Sequence, residues 1–280
     1  VQGFWGSPAM ADKAGLKAVD MFRAVADGRI KAIWIIHTNP AVSMPEADAV
    51  ADALRACPFV VVSDVTGQTD TARLAHVLLP ATAWGEKSGT VTNSDRTISR
   101  QRRVLPAPGQ ARDDWRIIAD VATRMGFAGF DWPDTATIYR EYAGLSGVAG
   151  ALGSDFDISD HAALSDDAYA SLAPFTWPQN ARQQGGRFFG NGQFHTADGR
   201  ARMLPIVPRL PQPLEKTQFR LNTGRIRDQW HTMTRSARSP RLSRHLAEPF
   251  VQIHPTDAQR LGLGPADLVC LRNDHGSALL

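Results

Sequence analysis

The residues best suited to chemistry lie in the stretch TGRIRDQWHTMTRS, residues 223–236, which carries three arginines, a tryptophan and a histidine but one acid, Asp228. Gly224 follows a strand-like run, so backbone N–H groups could meet a phosphate while Arg225 offers a two-pronged guanidinium. Trp230 and His231 are suited to stacking on a planar ring and donating to it. The stretch therefore predicts a loop that holds an anionic ring ligand. A basic turn with Trp230 buried in the core is the alternative.

Polar residues also follow two short apolar runs that are typical of buried strands. Asn39 lies in TNP after AIWII, and Ser63 and Asp64 follow FVVV. In an open parallel sheet, ligands bind beyond the carboxyl ends of the strands. The Asp64 carboxylate can accept two hydrogen bonds, which suits a ribose diol or the N1 and N2 edge of guanine. Capping of a turn is the alternative for both Ser63 and Asp64. An ordinary NAD site is disfavoured, because the Gly-rich dinucleotide fingerprint is absent.

A third candidate is the glycine-containing loop WGEKSGTVTNSDR, with Glu86, Lys87, Asn93 and Arg96 close together. Its glycines would let the backbone approach a ligand, while Lys87 could meet a phosphate or a pterin carbonyl. A solvated charged loop is the alternative. Asp113 is ambiguous in the same way, since acids are common in the first turn of a helix.

The rest of the composition excludes several classes of protein. The 8 histidines are scattered, and Cys57 and Cys270 lie far apart, so we expect no metal site and no disulfide framework. No G-x-S-x-G or HExxH motif occurs, and we expect no free-standing catalytic residue. No apolar run is long enough for a membrane helix and no signal peptide is visible, which predicts a soluble, cytoplasmic chain. The arginines crowded into 218–247 favour an anion site or a nucleic-acid patch.

The pattern of apolar residues predicts an α/β fold with a parallel sheet, followed by a mainly β, barrel-like part. We expect strands at 32–36, 59–62 and 76–80, and helices over 12–27, from Pro45, and from Asp113–Asp114. Strands are also expected in FRLNTGR, PFVQIHP and DLVCLRND, with a short helix in PTDAQRLGL. The predicted regions are 1–146, a connection over 147–216, and 217–280. The start at Val1 and the end at GSALL suggest a piece of a longer protein, with the last region truncated.

These stretches, in this order, resemble the C-terminal half of the molybdopterin oxidoreductases of the dimethyl-sulfoxide reductase family. The resemblance rests on TNPAVSMPEAD, CPFVVVSD, HVLLPATAWGEKSGTVTNSDRTISRQR, GQARDDW, GQFHTADGRAR and TGRIRDQWHTMTRSARSPRLSRHLAEPFVQIHP. Within the family, the assimilatory nitrate reductases are the nearest likeness, on RIRDQWHTMTRSARSPRLSRHLAEPF. A related molybdenum enzyme such as a formate dehydrogenase is the runner-up, and a nonenzymatic nucleic-acid-binding module is the alternative from another class.

The resemblance implies a molybdenum centre held by two molybdopterin guanine dinucleotides and a two-electron reduction of nitrate to nitrite by oxygen-atom transfer. It implies that 1–146 is a Rossmann-like cofactor-binding domain and that 217–280 begins a dinucleotide-binding β-barrel. An iron–sulfur cluster and the molybdenum ligand would belong to an upstream part, so the isolated piece should be inactive. Nitrate and an electron-donor protein or subunit are the expected partners, with neither nucleic acid nor membrane. The implied cofactor contacts are Asn39, Ser63, Asp64, Lys87, Asp113, Thr223, Gly224, Arg225, Ile226, Arg227, Asp228, Gln229, Trp230, His231 and Thr232.

Overall fold

A computed structural model describes residues 1–215, 218–274 and 276–280. Its helices are α1 (Gln2–Trp5), α2 (Ala18–Ala26), α3 (Pro40–Ser43), α4 (Ala47–Ala56), α5 (Asp114–Arg124), α6 (Thr135–Ala151), α7 (Asp166–Ala170) and α8 (Pro255–Leu261). Its strands are β1 (Ala32–Ile36), β2 (Phe59–Asp64), β3 (Val77–Pro80), β4 (Gly89–Thr92), β5 (Thr97–Gln101), β6 (Phe175–Thr176), β7 (Gln179–Asn180), β8 (Gln183–Gln184), β9 (Cys270–Asn273) and β10 (Gly276–Leu279). Short 3₁₀ turns lie at Ala72–Leu74, Trp84–Glu86, Ser159–His161 and Ser236–Arg238.

The predicted parallel sheet is confirmed. Its strand order is β1-β2-β3, and both neighbouring pairs are parallel. Continuous apolar runs suit these strands because helices cover the sheet. The core beside the sheet contains Phe22, Val25, Ile35, Val50, Leu54, Val60 and Val62. The sheet therefore fixes where β1 and β2 end, which is where Asn39 and Asp64 lie.

Two helix boundaries differ from the prediction. Helix α2 begins at Ala18 rather than Asp12, and α4 begins at Ala47 because Glu46 adopts a left-handed backbone. The short helix α3 was not predicted. It starts with Pro40 in its first turn, where the missing N–H costs nothing. Helix α3 holds Asn39 at its N-terminal end, just beyond β1.

A second core lies under the antiparallel hairpin β4–β5, which contains residues of the glycine-containing loop. The buried residues of this core are Ile98, Ala136, Tyr139, Ala143, Ile158 and Tyr169. Helix α6 packs into it and crosses the expected boundary at 146/147. A Cβ on Gly147 would approach Ser159 Cβ to 2.7 Å, so the absent side chain lets the 157–161 segment lie against the helix. That boundary therefore falls inside an element rather than in a linker.

The C-terminal part contains fewer strands than predicted. FRLNTGR and PFVQIHP form no strand, whereas α8 and β9 form as predicted and β10 returns against β9. A barrel requires each strand to pair on both sides. In the described ranges β9 and β10 pair only with each other, so no barrel closes. The expected boundary at 216/217 lies outside the described residues. Within the described chain, no helix combines the length and apolarity needed to cross a membrane.

Candidate functional site

Asn39 and Asp64 both lie where strands β1 and β2 end, at the C-terminal end of the parallel sheet, which we call the carboxyl edge. The Asn39 side-chain oxygen accepts from the backbone N–H of Thr71 at 3.2 Å and from its hydroxyl at 2.7 Å. This leaves the Asn39 amide nitrogen with a single long contact, 3.4 Å to the Thr234 hydroxyl. Asp64 Oδ1 accepts from the Val65 N–H at 2.6 Å, while its Oδ2 has no hydrogen-bond partner among the described residues. Both side chains therefore keep polar atoms available for a ligand.

Ser63 lies between them but is buried, with 2% of its surface exposed. Its hydroxyl accepts from Trp34 Nε1 at 2.8 Å, and its carbonyl accepts from the His37 N–H at 3.0 Å. The side chain thus ties β1 to β2 and faces the interior. Its expected contact with a cofactor stays a prediction, and its observed contacts shape the edge.

Asp113 is also buried, with 7% exposed, at the N-terminal end of α5. Its Oδ1 accepts from the Thr82 hydroxyl at 2.9 Å, and Arg103 donates to Oδ1 and Oδ2 at 2.9 and 3.0 Å. Thr82 is itself fully buried. Asp113 therefore joins three segments of the chain, and the ligand contact expected for it is not tested by this geometry.

The neighbouring Asp114 is the acid that meets Lys87, and the sequence had not singled it out. Lys87 Nζ donates to Asp114 Oδ2 at 2.5 Å, and His37 Nε2 is hydrogen-bonded to Oδ1. Burial disfavours ionisation of this carboxyl, but the bonds from Lys87 and His37 outweigh it and hold the pKa of Asp114 below its ordinary value. Two adjacent acids look alike in a sequence, yet successive residues at a helix start point in different directions.

Other residues of the glycine-containing loop make hydrogen bonds within the protein that stabilise its local structure. Glu86 accepts from the Ala83 N–H at 2.7 Å and closes the local turn. Arg96 donates to the Trp177 carbonyl at 2.8 Å and lies 4.4 Å from the centre of the Phe188 ring. Asn93 accepts from the Ser94 N–H. Lys87 is therefore the residue of this loop that reaches the edge of the sheet.

The arginine-containing loop, residues 223–232, is mostly exposed. Trp230 is 66% exposed and packs edge-on against His231 at 4.3 Å between ring centres, so the alternative of a Trp buried in the core is wrong. Arg227 donates to Asp228 and lowers the pKa of that carboxyl. The Ile226 carbonyl accepts from the Gln229 N–H at 3.1 Å. Thr223 and Gly224 are exposed, and the Arg225 guanidinium has no hydrogen-bond or ion-pair partner in the described chain.

Gln229 is the buried member of this loop. Its side-chain nitrogen has a long contact to the Ser243 hydroxyl, 3.4 Å, while its Oε1 is buried with no partner among the described residues. A buried acceptor without a donor is costly to maintain. The atom is therefore suited to accept from a group that the described residues do not supply.

Two hydrogen bonds join the residues that directly follow this loop to the sheet. Arg238 donates to the Thr66 hydroxyl at 2.9 Å, just after Asp64, and Asn39 donates to Thr234. The Thr234 hydroxyl also bonds the Thr232 hydroxyl at 2.7 Å. Sequence reasoning placed the loop and the strand ends in one site but missed these polar links. No local pattern signals a partner more than 170 residues away, since the Arg238–Thr66 pair is separated by 172.

The described residues contain no group of three or more His, Cys, Asp or Glu side chains that could hold a metal ion. The edge instead gathers hydrogen-bond donors and acceptors, and Arg225 of the arginine-containing loop has an exposed guanidinium without a partner among the described residues. Such a set is suited to an organic ligand with polar edges and anionic groups.

Two comparisons with protein families match this arrangement. Residues 3–124 match the family described as Molybdopterin oxidoreductase, and residues 219–280 match the Molydopterin dinucleotide binding domain. The chain belongs to the molybdopterin oxidoreductase family. The first match contains the carboxyl edge of the sheet, and the second contains residues 223–232.

Known proteins of this family cover nearly the whole chain. It is 47% identical to a nitrate reductase of Klebsiella oxytoca over 98% of this chain and 32% of that protein, and 47% identical to a nitrate reductase of Shewanella frigidimarina over 95% and 29%. The F420-dependent formate dehydrogenase subunit alpha of Methanocaldococcus jannaschii is 32% identical over 88% and 35%. The chain thus spans about a third of the length of these relatives.

A solved structure supports the fold of this molybdopterin oxidoreductase chain. Acetylene hydratase from Pelobacter acetylenicus superposes with a TM-score of 0.63 at 18% identity, over 94% of this chain and 36% of that one. At that identity the likeness concerns the fold alone.

Proposed function

We propose that this chain is the part of a molybdenum-dependent nitrate reductase that holds a molybdopterin guanine dinucleotide. The reaction of the whole enzyme would be nitrate plus two electrons and two protons giving nitrite and water. The 47% identity to two nitrate reductases, against 32% to a formate dehydrogenase, favours nitrate as the substrate.

The observation that carries the proposal is that the segment directly after the arginine-containing loop is hydrogen-bonded to the carboxyl edge of the sheet. The bonds Arg238–Thr66 and Asn39–Thr234 join the two regions, which belong to two different family matches. A ligand lying across this junction would meet acceptors and an amide on one side and Arg225 on the other.

The free atoms at this junction fit a guanine dinucleotide. Asp64 Oδ2 lacks a partner in the described chain and could accept from the N1 and N2 edge of guanine or from a ribose diol. Arg225, also unpaired, could form a two-pronged contact with pyrophosphate. The orphaned Gln229 Oε1 could accept from a ring N–H. Asn39 and Lys87 would donate, whereas buried Ser63 and Asp113 would set the shape of the edge.

When bound, the cofactor would supply the two-electron chemistry, and this chain would bind and orient it. The exposed rings of Trp230 and His231 would cover part of it, and Thr223, Gly224, Ile226, Arg227, Asp228 and Thr232 would line its path. An iron–sulfur cluster, an electron-donor protein or subunit and a cytoplasmic location belong to the same proposal. So do the regions 1–146, 147–216 and 217–280, with α6 running across the first boundary.

Binding of guanosine diphosphate (GDP) to the 280-residue chain tests the cofactor role, with adenosine diphosphate as the control. Saturable GDP binding that is stronger than adenosine diphosphate binding supports the proposal, and equal binding of both contradicts it. In the complete gene product, nitrate-dependent oxidation of a reduced dye, compared with formate-dependent reduction of the oxidised dye, separates the two substrate classes. Binding of a polynucleotide that competes with GDP and weakens steeply with salt would favour the nucleic-acid module instead.

A further inference from the structure

One carboxylate at the edge of the sheet holds two basic side chains from distant segments. Asp114 lies in the first turn of α5, Lys87 follows the turn at Trp84–Glu86, and His37 follows β1. Lys87 Nζ bonds Oδ2 at 2.5 Å, and His37 Nε2 bonds Oδ1. Each oxygen of the carboxylate is therefore engaged by a different segment.

The backbone on both sides of this cluster is fixed. Asp113, the preceding residue, is anchored by Thr82 and Arg103, so Asp114 starts from a rigid point. His37 adopts a left-handed backbone, φ 52°, which directs its ring back toward α5. Lys87, by contrast, is on a long flexible stem whose ordering costs entropy, and Asp114 is its sole hydrogen-bond partner among the described residues.

The ammonium group of Lys87 has three N–H donors, and Asp114 takes one of them. Two donors remain for a ligand at the edge, while both oxygens of Asp114 face protein groups. A ligand at the edge could therefore accept from Lys87, whereas both oxygens of Asp114 are already engaged by the protein.

We propose that Asp114 is a positioning residue that aims Lys87 at the nucleotide, and that His37 holds Asp114 in turn. Lys87 touches the ligand, and Asp114 acts through it. The inference rests on the proposed function, because it takes the nucleotide as the ligand of this edge.

A double-mutant cycle in the 280-residue chain, read by calorimetric GDP binding, tests this. Salt of roughly 0.5 M shortens electrostatic screening to about 4 Å, so a deleted charge acts mainly on its direct contacts. Asp114→Asn and Lys87→Gln should each weaken GDP binding about tenfold. The double variant should bind like Lys87→Gln alone, since a positioning residue has nothing left to position. Wild-type affinity in Asp114→Asn, or losses that multiply in the double variant, would overturn the proposal.

A second measurement follows Lys87 directly. The rate of reductive methylation of Lys87, read by peptide mass spectrometry, should rise several-fold in Asp114→Asn because the amine is released. It should rise less in His37→Asn, where asparagine tolerates the left-handed backbone. Asp120→Asn removes an exposed carboxylate from the same helix and should change neither rate nor affinity. Unchanged Lys87 labelling in both edge variants would refute the positioning role.

The binding and labelling measurements distinguish a failure of the positioning role of Asp114 from a failure of the proposed function. If the wild-type chain fails to bind GDP while Asp114→Asn still accelerates labelling, the proposed function falls and the hold of Asp114 on Lys87 stands. If GDP binds and Asp114→Asn changes neither readout, the proposed function survives and the positioning role is wrong.

Discussion

Replacing Asp113 by alanine should destabilise the fold by a calculable amount. The substitution leaves the hydroxyl of Thr82, which is fully buried, without its partner, and an unsatisfied buried hydroxyl costs about 1–3 kcal/mol. The lost ion pair with Arg103 adds about 0–1 kcal/mol, because 45% of the Arg103 side chain is exposed and solvent screens the pair. The free energy of unfolding should therefore fall by about 1–4 kcal/mol.

Urea unfolding followed by circular dichroism measures this change, with two matched variants. Asp113→Asn keeps an acceptor oxygen for Thr82 and should lose about 1 kcal/mol or less. Asp120→Ala removes the exposed partner of Arg112 in the same helix and should change stability by less than about 0.5 kcal/mol. An Asp113→Ala variant that unfolds like wild type but no longer binds GDP would refute the structural role and favour direct contact with the cofactor.

Three further predictions concern the core, the sheet edge and pH. Leu54→Ala, at a fully buried site, should cost about 2–5 kcal/mol in the same urea assay, whereas exposed Leu152→Ala should cost almost nothing; equal costs would contradict the assigned core. Asp64→Asn should weaken GDP binding about tenfold while leaving unfolding unchanged, because Oδ2 has no partner in the described chain; unchanged affinity would remove Asp64 from the site. Burial lowers the pKa of His161, and Asp160 and Gln179 oppose this in part. Below the ordinary pKa of histidine, the His161 imidazole is therefore protonated more in the unfolded chain than in the folded one. Stability should therefore begin to fall as pH drops through about 6.5, and His161→Gln should flatten that dependence in urea titrations at about pH 7.5 and 5.5; identical slopes would exclude His161 as the cause.

The parallel sheet was predictable because its strands are continuous apolar runs bounded by polar residues. β1 matched its prediction residue for residue, and β2 extended two residues further to Asp64. A continuous apolar run of this length indicates a buried strand without information from the rest of the sequence. The residues at their ends then follow from the rule that ligands lie beyond the carboxyl edge of a parallel sheet.

Helix α6 was missed for the opposite reason. Its sequence contains three glycines, and three of its four buried residues, Ala136, Ala143 and Ser146, are small, with Tyr139 the one large side chain. Helix α6 packs against the 157–161 segment, and this tertiary contact cannot be predicted from the local sequence pattern. The strands expected at FRLNTGR and PFVQIHP failed because apolar alternation needs a neighbouring strand to become a sheet.

Within the candidate site, residue types were predictable and their pairing was not. The sequence indicated Lys87 and an acid near 113, but which of two adjacent carboxylates meets the lysine depends on the first turn of α5. The bond between Arg238 and Thr66 likewise depends on how two distant segments fold together.

The arginine-containing loop is joined to the sheet through the residues that directly follow it, and these links affect the order in which the chain folds. Its polar links to the sheet, among the described residues, are the bonds from Arg238 and Asn39, which span 172 and 195 residues. Links of such long range close large loops and form after the local elements. At about 0.5–1.5 kcal/mol each, they would also break transiently without disturbing the core. The sheet can therefore be fully formed while the loop is still detached from it. A large cofactor could then bind to a chain that has already folded.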